Sequence, residues 1–486
     1  MSRTITVTPL TRIEGHARIT LTVDDAGQLS HARFHVEDFR GFEAFCEGRL
    51  FSEMGAITAR ICGICPVSHQ LAAARCGDKL LALEVPAAAQ RLRLLVNLAQ
   101  ICQSHALSFF HLSSPDWLLG WQSDPARRNL FGLIAADPEL ARAGIGLRRF
   151  GQELIERLAG RRLHARWLVP GGVLSALSSD DRLAILAQLP AARAAAALAL
   201  DRFVPLLDGV LSKELVSFGT FESLFMALVH PDGRWSCLGG SLRVVDSSGV
   251  VVADGLLEDN YANFLAELSL GWTYLKSPYY RPWGHPAGIY RVGPLARLNV
   301  CSTIGTPHAD RELQRFRTCH GSAASGGRIV TASFAYHHAR LVEIVAVLEA
   351  IEALLQEPAA LEGPLQAHGP LAVREAVGVS EAPRGTLFHH YRVDRDGVLE
   401  HVNLLIATGQ NNLAMNRTIE QIARTWIPWP LQPGQLIDEP LLNRLEAGIR
   451  CFDPCLSCST HALGQMPLRV ELRTSNGQLL AQGVRS

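Results

Sequence analysis

The chain is short of charge. Only 19% of its 486 residues are Asp, Glu, Lys or Arg, against about 25% in an ordinary soluble protein, so part of its surface is expected to lie under another protein. Neither sign is in excess. The 46 basic residues equal the 46 acidic ones, a balance that argues against nucleic acid as a partner and against an acidic disordered tail. The opening MSRTITVTPLTRIEG has no apolar core of a secretory signal, and a cytoplasmic location is expected. The most apolar helical stretch, Leu92 to Phe110, carries Arg93, Asn97, Gln100, Gln103 and His105, which suits a buried soluble helix rather than a membrane span. G-x-G-x-x-G, Walker A and H-E-x-x-H are all missing. Any nicotinamide chemistry would need its nucleotide bound elsewhere. Eleven cysteines, an odd number without an export signal, do not suggest a disulfide framework. Clustered ones point instead to a metal or to catalysis.

What the chain does have is enough apolar material, 48%, to exclude global disorder. Its length suggests roughly three core-sized units. The first forty residues read as strands, Ile5–Thr8, Ala17–Val23 and Ser30–Val36, with Asp25-Ala26-Gly27 as a turn. Helical spacing follows from Pro86, expected in a first turn, through Leu92, Leu95, Val96, Ala99, Cys102 and Ala106. Further helices are expected over Asp180–Val210 (broken near Pro190), Ser333–Leu355 and Pro440–Arg450. Hairpins are expected over Val244–Val252 and Leu387–Ile406, and an ordered connector over Pro278–Pro294. The expectation is an α+β fold dominated by long central helices, with small peripheral sheets.

Two C-x-x-C pairs lie at opposite ends, Cys62/Cys65 in RICGICPVSH (60–69) and Cys455/Cys458 in DPCLSCSTH (453–461). Two intervening residues let one turn aim both sulfurs at a single metal, and four thiolates make a soft site for zinc, nickel or iron. A local zinc ribbon keeps its pairs about 15–20 residues apart. These are separated by most of the chain, so a shared site must be made by the whole fold, between its N- and C-terminal segments. Pro66 and the following Ser68–Leu81 run place the first pair before a helix N-terminus, where thiolate is favoured. The remaining seven cysteines read as core residues.

Together with R-I-E-G-H at 12–16, R-G-F-E at 40–43 and E-A-P-R-G at 381–385, these segments resemble, in order and over nearly the full chain, the large subunits of nickel–iron hydrogenases. The ending DPCLSCSTHALGQMPL is most similar to the cytoplasmic, NAD-reducing, bidirectional branch. The resemblance implies nickel on Cys62, Cys65, Cys455 and Cys458. Cys65 and Cys458 would bridge to an iron that carries CO and cyanide. Cys455 would be the base that accepts the proton of hydrogen, and Glu14 the next proton carrier. It further implies Arg384 above the open metal face with Pro383 in the cyanide pocket, Asp453 orienting that arginine, and Arg60 and His69 packed around the cluster. A magnesium ion would take Glu43, His461 and the carbonyl of Leu413. Two positions depart from the family. Ser104 stands where many relatives have an acid, and Asn411-Asn412 replaces a W-N dipeptide.

The activity implied is reversible heterolysis of H2, with electrons leaving through a small iron–sulfur subunit to diaphorase subunits carrying FMN and NAD. The alternatives are another acceptor (F420, NADP or a heterodisulfide reductase), a hydrogen sensor, or the quinone-site subunit of respiratory complex I. The retained cysteines speak against the last. Nickel-insertion factors and a maturation protease are further implied partners. The mature domain would be residues 1–461, and 462–486 a removable extension with a hairpin over Leu468–Leu472 and Leu479–Ala481 around Ser475-Asn476-Gly477.

Overall fold

Strands Arg3–Val7, Ala17–Val23 and Leu29–Val36 form an antiparallel meander. Its turn is closed by Asp24, whose Oδ1 accepts from the amides of Ala26 (2.9 Å) and Gln28 (2.8 Å). The inward side chains Ile19, Leu21, Phe34 and Val36 are fully buried or nearly so. The computed structural model describes residues 3–39, 41–208, 212–432, 435–459, 468–473 and 479–485. For residues 3, 212, 458, 459 and the two last segments it describes the backbone alone.

Helices make up the centre. Helix Ala335–Gln356 is buried along most of its length and packs against Ala87–Ala106, Ser179–Phe203, Pro294–Val300 and Pro307–His320. Pro86 is the cap of Ala87–Ala106 rather than a first-turn residue. At Leu107 the helix widens into a π-helical stretch that ends at Ser113. Ser179–Phe203 runs through Pro190 without a break. The proline costs one backbone bond and a steric clash, and packing of Leu189, Ala192, Ala196 and Phe203 against neighbouring helices outweighs that cost. By length and composition Ser179–Asp208 is the one described helix apolar enough to cross a membrane, and its inner side packs in the core of this fold. Val210 lies outside the described residues. Helix Pro138–Ala159 is an addition to the sequence reading, although its signals are ordinary. Asp137 Oδ1 accepts from Leu140 N (2.9 Å), and Gly160 ends it with φ +74°.

The sheets are small, as expected. One joins Leu224–Val229, Ser241–Val245 and Val251–Leu256, with Tyr290–Arg291 parallel at its edge. The stretch read as a connector therefore contributes two short strands, Ser277–Tyr280 and Tyr290–Arg291. Another sheet, Glu375–Ala382, Gly385–Val393 and Leu399–Leu405, is antiparallel and packs inside against helix Pro66–Leu80 rather than at the periphery. A separate apolar cluster lies between them. It includes Cys46, Met54, Ile61, Ala72, Leu387, Tyr391 and Val402, and it encloses Cys62, Cys65 and Cys455. Leu468–Arg473 and Leu479–Arg485 pair antiparallel, and the turn between them lies outside the described residues.

The helical core holds histidines that must stay neutral. His320 Nε2 is 3.1 Å from His338 Nδ1, and His337 Nε2 is 3.7 Å from Cys451 Sγ. Burial lowers His320 to about 4, and burial, with Arg340 second, lowers His337 to about 3. The unfolded chain binds these protons first, so their stabilisation is complete above about pH 6.5 and is lost as pH falls toward 4 and then 3. At about 1.4 kcal/mol per pKa unit, His320 is worth on the order of 3 kcal/mol and His337 on the order of 5 kcal/mol. Melting temperature should therefore drop steeply below pH 6.5, and less steeply in His337→Gln. Equal slopes for the two proteins would contradict this account.

Candidate metal centre

Three thiols meet in the second apolar cluster. The sulfurs of Cys62, Cys65 and Cys455 all lie within 4.8 Å of one another, with Cys455 Sγ 3.0 Å from Cys62 Sγ. All three are buried. They form the one group of three or more potential ligands found among the described residues. The side chain of Cys458 lies outside those residues, although its backbone continues the short helix Leu456–Ser459. The first pair is placed by local structure. Ile64 N donates to Cys62 Sγ (3.2 Å), and Cys65 caps helix Pro66–Leu80, with Pro66 at its first position. Gln100 and Gln103 of the long helix each donate from Nε2 to Ile64 O at 2.7 Å and fix the loop between the thiols.

The C-terminal pair is brought in by two features. Helix Glu439–Phe452 ends at Asp453, whose left-handed backbone (φ +52°) turns the chain toward Cys455, a conformation an Asp tolerates better than most residues. Cys455 then pairs with Glu14 as a parallel bridge, with Leu456 N donating to Glu14 O (3.1 Å). Gly15 makes this approach possible, because a Cβ there would lie 2.6 Å from Leu456 Cβ. The Glu14 carboxylate accepts from Ser457 N (3.1 Å) and from Ser457 Oγ. Thr408 Oγ1 accepts from Cys455 N at 3.0 Å. Behind these contacts, Asp116 accepts from Arg12 and from Arg450 (2.9 and 3.1 Å), which ties the Glu14 loop to the helix that leads into the cysteines.

Strands Glu375–Ala382 and Gly385–Val393 are joined by the two-residue turn Pro383-Arg384. That turn points the arginine at the sulfurs. Arg384 Nη2 is 3.0 Å from Asp453 Oδ2, and its Nε donates to Asp453 O. Burial works against the guanidinium charge, but Asp453 first, and then Cys455, Cys65 and Cys62, raise its pKa well above the usual value. It is a fixed cation. Arg384 Nη1 is buried without a hydrogen-bond acceptor among the described residues, beside a small cavity lined by Cys65, His69, Arg384, Thr408 and Cys455. Soft sulfur donors, a small cavity and an unused donor at its edge fit a nickel–iron group that carries an acceptor facing Arg384.

The remaining expected residues are spread more widely. His69 is buried, with Nδ1 3.2 Å from His389 Nε2, and His389 Nδ1 is 2.5 Å from Tyr391 Oη. Arg60 departs from the expectation. It is exposed and donates to Ala56 O (2.6 Å), because the turn before Cys62 directs it outward. Ser104 is buried one turn beyond Gln100. Burial pushes the Glu43 carboxyl up, opposed by Lys276, and its Oε1 accepts from Leu404 N (2.8 Å) and from Lys276 Nζ (3.3 Å). Leu413 is buried in the first turn of Asn412–Trp426, and His461 lies outside the described residues. Asn411 and Asn412 bind Val292 N (3.0 Å) and Ser277 Oγ (2.8 Å). Sequence reasoning missed Gln100, Gln103, Thr408, Ser457 and Lys276. Ser457 had a signal in its place inside the second C-x-x-C, and Gln100 and Gln103 had one as polar side chains in a largely apolar helix.

Known proteins share this fold. The family model described as nickel-dependent hydrogenase matches residues 40–123 and 244–461, and one described as HoxL-like matches 4–39. The chain is 36% identical to the NAD-reducing hydrogenase HoxS subunit beta of Cupriavidus necator over 100% of both chains. It is 37% identical to a subunit of the F420-non-reducing hydrogenase of Methanothermobacter thermautotrophicus, covering 98% of this chain and 99% of that one. A crystal structure of an NAD+-reducing [NiFe]-hydrogenase in the H2-reduced state superposes with a TM-score of 0.89 at 42% identity, covering 94% of this chain and 99% of that one. With its thiols gathered from both ends of the sequence, and with this likeness running along its whole length, the chain belongs to the nickel-dependent hydrogenase family.

Proposed function

We propose that this chain is the catalytic subunit of a cytoplasmic NAD-reducing hydrogenase that splits H2 heterolytically and reversibly. The observation that carries the reading is the buried thiol trio joined through Cys455 to Glu14 and Ser457. When bound, a nickel–iron group with CO and cyanide on iron supplies the Lewis acid that weakens hydrogen. The chain does the rest. Cys62, Cys65, Cys455 and Cys458 hold the group. The Cys455 thiolate accepts the proton, and Glu14 takes it onward while Ser457 fixes the carboxylate. Asp453 holds Arg384, which with Pro383 would lie against the group, and the apolar cluster would exclude water. Magnesium on Glu43, the Leu413 carbonyl and His461 would brace the C-terminus.

Electrons would pass to a small iron–sulfur subunit, then to diaphorase subunits with FMN and NAD. Exposed Phe39, Phe45 and Leu50, on the segment leading to the first cysteine pair, support a docked partner. The comparable identity to an F420-non-reducing enzyme favours, as second reading, the same subunit serving another acceptor. A maturation protease would cut after His461 and free 462–486. The complex purified under hydrogen should contain nickel and iron, show infrared bands of CO and cyanide, reduce NAD, and carry this chain at the mass of residues 1–461. Reduction of NADP or F420 but not NAD would favour the second reading, and full activity with a 486-residue mass would remove the processing step.

A further inference from the structure

Arg297 is a fully engaged side chain of the interior, and none of its hydrogen bonds is with the thiols. It belongs to the short helix Pro294–Val300 and is 1% exposed. Its guanidinium donates from Nε to Glu343 Oε1 (2.6 Å) and from Nη2 to Glu343 Oε2 (2.6 Å). Nη1 donates to Glu381 Oε2 (2.9 Å). The other two donors reach the backbone of the hairpin turn, Nη1 to Ala382 O (2.9 Å) and Nη2 to Pro383 O (3.2 Å). All five N–H groups that an arginine offers are therefore used. The two carboxylates are themselves fixed. Trp235 Nε1 donates to Glu343 Oε1 (2.9 Å), and His105 Nε2 lies 2.7 Å from Glu343 Oε2. Thr386 Oγ1 (2.7 Å) and Leu228 N (2.9 Å) donate to Glu381 Oε1.

The same helix touches the turn a second time. Gly293 caps it, with φ +95°, and a Cβ there would lie 2.6 Å from Arg384 O. The turn is thus held against the helix by a close backbone approach at Arg384 and by two hydrogen bonds at Ala382 and Pro383. Lysine could not replace this contact, because its three donors on a flexible stem cannot span two carboxylates and two carbonyls at once.

We infer that Arg297 is a positioning residue for the hydrogenase reaction, setting the Pro383-Arg384 turn over the thiol cluster. The inference rests on the nickel–iron reading of the site but concerns a side chain that bonds to the turn and to none of the thiols. A displacement of about 1 Å in such a group can cost about a hundredfold in rate. In the assembled enzyme, Arg297→Lys should therefore lose about ten- to a hundredfold in hydrogen oxidation and keep its nickel. Its cyanide infrared bands should move, because the donor facing them moves. Glu381→Gln, which weakens only one of the five bonds, should move the bands less, and it decides the matter if Arg297→Lys does not fold. Trp235→Phe removes a bond to Glu343 that does not involve the turn, so it should lower the melting temperature and leave the bands in place. A purely structural Arg297 would lower melting temperature in all three variants without moving the bands. That result, or bands that move as far in Trp235→Phe, overturns the inference. Absence of cyanide bands from the unsubstituted enzyme would instead overturn the reading of the centre.

Discussion

Cys455→Ser is expected to abolish hydrogen turnover, by at least about a thousandfold, since it removes a ligand and a base together. Cys455 Sγ is 3.0 Å from Cys62 Sγ and within 4.8 Å of Cys65 Sγ, in a site only 1% exposed at this residue. A serine hydroxyl is a hard, weakly acidic donor. At neutral pH it remains protonated, so it offers neither a soft thiolate to nickel nor a basic sulfur to the proton. Folding should survive, because the backbone contacts of Cys455 with Thr408 Oγ1 and Glu14 do not use the sulfur. Hydrogen-dependent dye reduction, read beside nickel content and melting temperature, tests this. Near-normal hydrogen oxidation in the purified variant would mean that the proposed site is wrong.

Glu14→Gln should lower net turnover and the exchange of hydrogen isotopes with solvent together, by about a hundredfold, the usual scale for losing a proton-transfer group. The amide keeps the size of the carboxyl, and its oxygen can still accept from Ser457 N. What disappears is the titrating proton and one acceptor for Ser457 Oγ. Nickel content and melting temperature should stay close to those of the unsubstituted enzyme, because Glu14 touches Ser457 and the backbone rather than the metal group. Separation of the two rates, with turnover down and exchange unchanged, would move the proton route to another residue.

Both variants rest on residues that are legible without the fold, and the reason is local. C-x-x-C places two sulfurs on one turn whatever surrounds it, so Cys62, Cys65, Cys455 and Cys458 declare themselves as pairs. Start and stop signals are just as local, which is why the N-terminal meander, the helix from Ala87 and the hairpin around Asp394 are legible in kind. Local signals also mislead. Pro190 marks a break that packing forbids, and Pro278–Pro294 conceals two strands whose partners lie far away in sequence.

Arg60 shows the limit from the other side. Its neighbours Cys62 and Cys65 turn inward, and the same turn that buries them leaves the arginine exposed. Sequence proximity to a ligand does not fix the direction of a side chain.

Two thiol pairs, the capacity of each to grip a metal, and the family they resemble are all legible before the chain folds. Folding is what brings the sulfurs of Cys62 and Cys455, 393 residues apart, to 3.0 Å from each other. It alone gave Glu14 its serine partner and Glu43 its lysine, and it alone set a fully bonded Arg297 beneath the turn that carries Arg384. The difference comes from the cost of burial. A charged or polar side chain taken alone is read as solvent-facing, since leaving water unpaired is expensive. It can lie inside only when partners from distant segments meet it with correct geometry, and that meeting is a property of the folded chain.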